Sequence, residues 1–410
     1  MRKHTHNKGL SKGVLKRCTT ALLAIAIFVQ AMSLGISASV YGFAGLLGGS
    51  GSLSAPGNSG NANFDSDAVI EALQGDVIKY MKKDLIQRIE EQRLTGSAEV
   101  VLMFSDKSLV SEYTKKYADK MTYEEFKVSD EAIAFERELK ANREATLREL
   151  EESGLVFEVK HTYSHVLDGA FVKTTYENVS EICENKGISG AMLSQTYLPM
   201  KAPNNPVDVY DTGIFNSGSV SYTGKGTIVA VLDTGCDYAH PAFTTYSIQE
   251  GRYDRDEIAA LLPLLEASKT SVGLEAREVY YGNLTGGKIA FGYDYADKDP
   301  DIMPFENSHG THVAGIIAGK GGEITGVAID AQLAIMKVFS DYDDGAKDGD
   351  IIAALEDCIT LGVDAINMSL GTSCGFTEES ELDELYKNTL YSNIEKAGIS
   401  LVVAASYDHS

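Results

Sequence analysis

Ser308-His309-Gly310-Thr311-His312-Val313-Ala314-Gly315-Ile316-Ile317-Ala318-Gly319 is the stretch on which the reading of this 410-residue chain turns. Asn307 and Ser308 are N-cap residue types, and the apolar Ala/Gly-rich run behind them reads as a buried helix. Small side chains let such a helix lie close against its neighbours, so His309 is expected to be held rigidly at its mouth. Proton transfer needs fixed geometry before it needs a tuned pKa, and a general base is presented in this way. The rival readings are a His-x-x-His metal pair and a plain core histidine. The first is disfavoured because neither histidine sits in the His-Glu-x-x-His zinc pattern.

Upstream, Gly226-Thr227-Ile228-Val229-Ala230-Val231-Leu232 is a continuous apolar, β-rich run, as expected of a strand buried on both faces of a parallel sheet. It delivers Asp233 at its carboxyl end, where open α/β sheets place their sites. Asp233-Thr234-Gly235 followed by His309-Gly310-Thr311-His312-Val313-Ala314-Gly315 resembles the subtilisin-like serine proteases, the subtilases. Asp364-Ala365-Ile366-Asn367-Met368-Ser369-Leu370-Gly371 looks like the strand that lines the substrate cleft in that family. Aspartyl proteases share Asp-Thr-Gly but have no matching histidine motif.

The resemblance implies a doubly wound parallel α/β sheet and a serine endopeptidase. It gives Asp233 the part of orienting His309, and His309 the part of general base. The backbone of Ser369, Leu370 and Gly371 would pair with an extended protein or peptide substrate as an added strand. The nucleophile does not follow as directly. Gly371-Thr372-Ser373 abuts the substrate strand and precedes an acidic stretch, Glu378 to Glu384, where the family has a buried helix. The nucleophilic serine is therefore expected beyond residue 410, the sheet being incomplete and this chain alone inactive. Where the family has Gly-Asn, with an oxyanion-donating Asn, this chain has Ser406-Tyr407-Asp408. Loss of such a donor removes about two to three orders of magnitude from turnover. Tyr407 favours the alternative, a non-catalytic relative that keeps the cleft as a peptide-binding or interaction module.

A net charge of −23 argues against nucleic acid and suits an exported protein. Residues 1–38 carry Arg2, Lys3, Lys8, Lys12, Lys16 and Arg17 but no acid, then Ala21–Val29 is apolar and small residues follow. This pattern reads as a signal peptide over 1–44, and secretion or a cell-envelope location follows; an uncleaved anchor is the rival. Residues 45–63, rich in Gly, Ser and Asn, read as a linker. The five cysteines make no disulfide framework, and Cys236 is expected to be a buried structural thiol.

Residues 64–202 read as strand–helix–strand–strand–helix–strand, an α+β ferredoxin-like plan with long charged helices near 108–126 and 129–153 inserted after the first strand. Tyr163-Ser164-His165-Val166-Leu167-Asp168-Gly169-Ala170-Phe171 resembles the subtilase propeptide, which implies an intramolecular inhibitor whose tail, from Thr196 onwards, enters the cleft. A self-standing ligand-binding domain is the alternative. Residues 203–225 read as linker and lead-in, and 226–410 as the first part of the catalytic domain. Extra chain between Thr244 and Lys288, expected to form a lid or cleft wall, resembles the lactocepin-like cell-envelope proteinases of Gram-positive bacteria. The chemistry requires no cofactor. Asp341, Asp343, Asp344 and Asp350 raise structural calcium, but without EF-hand spacing they read as a solvated loop on the cleft rim.

Overall fold

The computed structural model describes residues 82–83, 85–199, 222–245, 251–267, 287–322, 324–371 and 386–404, apart from the side chains of 386–388. All of them fall in one unit, Asp76–Ser410. The signal and linker readings, the lead-in up to residue 221, the extra chain at 246–250 and 268–286, Ser373 and Tyr407 lie outside the described residues.

After a helical segment at 85–92, β1 (Ser97–Ser105) begins an antiparallel sheet. Then come α1 (Leu109–Lys116), α2 (Tyr123–Phe126), α3 (Asp130–Glu152), β2 (Glu158–Tyr163), β3 (Asp168–Thr175), α4 (Tyr176–Glu184), β4 (Gly190–Leu193) and β5 (Thr196–Pro199). The sheet order is β2-β3-β1-β4. The single helix expected near 108–126 is two. Thr122 starts α2 with its own capping box to Glu125, just after α1 has ended at Tyr117. The last strand of the expected plan is β4, and β5 follows it as a further short strand.

β1 is apolar on both faces for a reason its alternation makes plain. Val100 and Leu102 face a small core shared with Leu150, Val179 and Ile182 from the unit's own helices. Val101 and Met103 face the opposite way, into a core continuous with the rest of the chain. This sheet is therefore buried on both sides, once by its own helices and once by the C-terminal part of the chain.

That C-terminal part comprises β6 (Ile228–Asp233), α5 (Pro241–Thr244), α6 (Arg255–Leu261), β7 (Ile289–Asp294), α7 (His309–Ala318) and a small hairpin, β8 (Lys320–Gly321) and β9 (Ile324–Thr325). Then come β10 (Gln332–Lys337), β11 (Ala346–Lys347), α8 (Asp348–Leu361), β12 (Ala365–Met368), β13 (Leu370–Gly371), α9 (Ser392–Lys396) and β14 (Ser400–Val403). β14-β12-β6-β10-β7 form a parallel sheet. The chain runs to one side of β6 for β7 and β10, then crosses for β12 and β14. The order reverses at β6, and a doubly wound sheet opens its crevice at the carboxyl end of such a strand.

α8 is buried along its whole length, although it carries Asp348, Asp350, Glu356 and Asp357. Asp348, Asp350 and Glu356 meet the antiparallel unit, while Asp357 accepts from Glu266 N, Ala267 N and Tyr295 OH. Asp350 is thus not in the solvated loop expected of it; its carboxylate meets His161 of β2 at 3.0 Å. Between β13 and β14 the described residues form a wide helical turn over Tyr386–Tyr391 followed by α9. No helix among the described residues is long and apolar enough to cross a membrane.

Candidate active site

Asp233 ends β6, and α7 is laid across that strand end so closely that only glycine fits between them. A Cβ on Gly310 would overlap the Gly235 carbonyl oxygen and meet Asp233 Cβ at 3.0 Å. Gly235 itself turns at φ +97°, where a side chain would collide with the Ile302 carbonyl. Thr234 fastens the junction. Its hydroxyl accepts from Gly310 N at 2.9 Å and donates to Asn307 O at 2.7 Å, while Asp237 N donates to Thr311 Oγ1. Ser308 makes no side-chain cap; Asn307 Oδ1 accepts from His309 N instead.

The result is a histidine locked against a buried carboxylate. His309 Nδ1 lies 2.8 Å from Asp233 Oδ1 and 3.0 Å from Oδ2, and Thr234 N donates to Oδ1 at 2.7 Å. Asp233 is 1% exposed and the His309 side chain 17%, so the carboxylate is dry and the ring reaches the surface. The carboxylate fixes Nδ1 as the protonated nitrogen and leaves Nε2 as the basic one. Replacing Gly310 with Ala should lower stability by about 1–3 kcal/mol through overpacking and move His309 off Asp233. Denaturant unfolding with the imidazole NMR signal as second readout tests this, and an unshifted signal at full stability would contradict the packing argument.

Ser369, Leu370 and Gly371 leave the sheet at the same end, because Met368 of β12 pairs with Leu232 of β6. Leu370 and Gly371 form β13, which pairs antiparallel with β5, Leu370 opposite Pro199 and Gly371 opposite Leu198. The Ser369 hydroxyl accepts from Asn367 Nδ2 at 3.0 Å. The strand on the far side of β5 was not foreseen from the sequence. β11 pairs with the other edge of β5, Ala346 opposite Tyr197, so the segment Thr196–Pro199 lies between β13 and β11. Gly345, at φ +73°, precedes that strand, and a Cβ there would strike the Tyr197 carbonyl. A two-residue strand has no periodicity to detect; Gly345 before it was the available signal.

α8 receives the antiparallel unit through its acids. Glu356 accepts from the backbone of Ser164, from His165 N at 2.6 Å and from Val166 N at 2.9 Å. Asp348 Oδ2 accepts from Gln195 N at 2.5 Å, and Tyr163 OH donates to Gly349 O. Of the extra chain expected between Thr244 and Lys288, the described residues 251–267 bond to the C-terminal part through Tyr253 and Asp357 and to the antiparallel unit through Glu266, which accepts from Thr162 N. Asp294, Asp297 and Asp341 converge elsewhere, but Lys337 Nζ already meets Asp294 at 2.8 Å and Asp341 at 2.6 Å, an ammonium where a metal would stand. Cys236 is buried, its thiol pushed far up by desolvation and then by the Asp237 charge, so it is inert.

Residues 224–408 match the model of the subtilase family. A PII-type proteinase of Lactococcus lactis subsp. cremoris is 28% identical over 256 residues, which is 60% of this chain and 12% of that proteinase. A C5a peptidase of Streptococcus pyogenes is 31% identical over 196 residues, 46% of this chain and 15% of its own. The chain thus spans between about an eighth and a seventh of the length of these relatives. Among solved structures, fervidolysin from Fervidobacterium pennivorans, a keratinolytic enzyme related to subtilisin, covers 76% of this chain at 17% identity, with 40% of its own length and a TM-score of 0.42.

Proposed function

With a subtilase domain at residues 224–408 as premise, we propose that the chain is the zymogen part of a secreted or cell-envelope serine endopeptidase. The observation that carries the reading is the His309–Asp233 pair at the carboxyl end of β6. In it Asp233 fixes the tautomer and stabilises the imidazolium, and His309 Nε2 takes the proton of a serine hydroxyl and returns it to the leaving amine. The serine comes from beyond residue 410, in keeping with relatives several times longer than this chain. Ser369, Leu370 and Gly371 on one side and Ala346 and Lys347 on the other hold an extended peptide, which suits protein substrates presented as unfolded or loop segments.

The same reading makes residues 64–202 a ferredoxin-like propeptide. Its support is the antiparallel order β2-β3-β1-β4 and the position of β5, which lies as a substrate strand would. The unit inhibits by filling the cleft until it is cut away beyond Pro199.

The test is covalent. The protein encoded past codon 410, freed of residues 1–202, is treated with a fluorophosphonate probe and the modified peptide is located by mass spectrometry. Labelling of one serine beyond residue 410 is expected, at least a hundredfold slower with residues 64–202 still attached. No labelling of any serine would leave the cleft as a peptide-binding module and defeat the protease reading.

A further inference from the structure

We propose that the hairpin β2–β3 is fastened to the subtilase domain by a proton-dependent latch at His161, holding the N-terminal unit in acid and loosening it as the pH rises. Its consequence for activity rests on the propeptide reading; the latch itself does not.

His161 is 1% exposed and stands where the two parts of the chain meet. Its Nε2 is 3.0 Å from Asp350 Oδ1 of α8, and its ring runs parallel to Phe171 of β3. The other nitrogen, Nδ1, has no hydrogen-bond partner and lies 3.8 Å from Glu266 Oε1. With the Nε2 proton given to Asp350, a neutral ring turns the Nδ1 lone pair towards a carboxylate in a dry site. Protonation replaces that lone pair with N–H and sets one cation between two anions.

The neighbouring charges come from every element packed there. On β2 itself, Lys160 is paired with Glu99 of β1 at 3.1 Å, and Glu158 lies near it. Lys298, before α7, donates to the Lys160 carbonyl. From α8, Asp348 is engaged by Gln195, Glu356 by the hairpin amides, and Asp357 by the amides of Glu266 and Ala267 and by Tyr295 OH. Burial by itself lowers the imidazole pKa; the Asp350 and Glu266 carboxylates outweigh it and hold it above its ordinary value. Desolvation likewise raises Asp350, which adds proton uptake of the same sign at lower pH.

The sign follows from linkage. In the opened interface the ring is solvated and titrates near 6.5, about its ordinary value. Closure raises that pKa, so the stabilisation is fully present below about pH 6.5 and is lost as pH rises through the closed-state value. Between those two values the opening equilibrium grows by up to about tenfold per pH unit.

The experiment is hydrogen–deuterium exchange of the full 410-residue chain from pH 6 to 9. It is read at the Ser164, His165 and Val166 amides, corrected for intrinsic base catalysis and referenced to β6. Opening should rise above about pH 6.5 and then level off. His161→Gln should flatten the profile, and Asp350→Asn should shorten the rise, which then levels off at lower pH and smaller amplitude. The His161 imidazole signal of the unaltered chain, followed by NMR, should titrate above 6.5. A midpoint at or below 6.5, or the same rise in His161→Gln, overturns the latch. No activity is read, so the outcome is independent of whether the cleft is catalytic.

Discussion

Replacing His309 with Ala should reduce kcat of the full-length protein by roughly 10⁴–10⁶-fold, the range for loss of a triad member in serine proteases, with KM little changed. The ring is the only base the site offers at a fixed distance from a buried carboxylate among the described residues, so nothing nearby takes over its proton. Asp233→Asn should cost about 10⁴-fold, for a different reason. Thr234 N holds Oδ1 at 2.7 Å, which would keep the amide oxygen in place and turn the amide NH₂ towards His309 Nδ1. The imidazole would then have to accept at Nδ1 and carry its proton on Nε2, the wrong tautomer for a base. Steady-state peptide hydrolysis decides it. Activity within tenfold of the parent for either variant would remove the pair from the mechanism.

That pair was legible in the sequence because each member sits at a position marked by hard steric demands. The apolar run before Asp233 declares a strand buried on both faces, and Gly235 and Gly310 are where two backbones touch. The strand before Leu370 was legible for a related reason, but it ends at Met368, and Leu370 and Gly371 form a separate short strand against β5. What the sequence hid was the interface. Asp350 and Glu356 stand on a helix whose acids look like a solvated face, and one strand of chain cannot say that a second domain covers them. β1 carried half of that information, since Val100 to Met103 is apolar in both registers, but a strand buried by its own helices alone reads the same way. Of the insertion before β7, the described end at Glu266 accepts from the Thr162 amide of the covering unit, a contact that nothing in its sequence announced.

Glu356→Ala should detach that unit more thoroughly than any other single truncation on α8. The carboxylate takes three successive backbone N–H groups at the β2–β3 turn, from Ser164, His165 and Val166, in a site 4% exposed. A helix or strand satisfies its amides internally, but a tight turn buried against another domain has only what that domain supplies. Removing the acceptor orphans all three at about 1–3 kcal/mol each, and because they share one partner the costs do not add in full. About 3–5 kcal/mol is expected, or roughly two to four orders of magnitude in the opening of the turn. The neighbours restrain the loss without replacing it: Asn393 Nδ2 holds the Val166 carbonyl at 2.7 Å, and Arg143 of α3 holds the Tyr163 carbonyl at 2.7 Å and Asp168 at 2.8 Å. Those contacts keep the turn shaped after the acceptor is gone, so amides of β1 should stay protected while those of the turn do not. Hydrogen exchange resolves the two regions, and Glu112→Ala, which breaks only an exposed pair with Lys116 on α1, serves as the control. Equal loss of protection in β1 and the turn would mean that Glu356 supports the fold of the unit itself, and unchanged protection of the turn would mean that its amides find water as readily as the carboxylate.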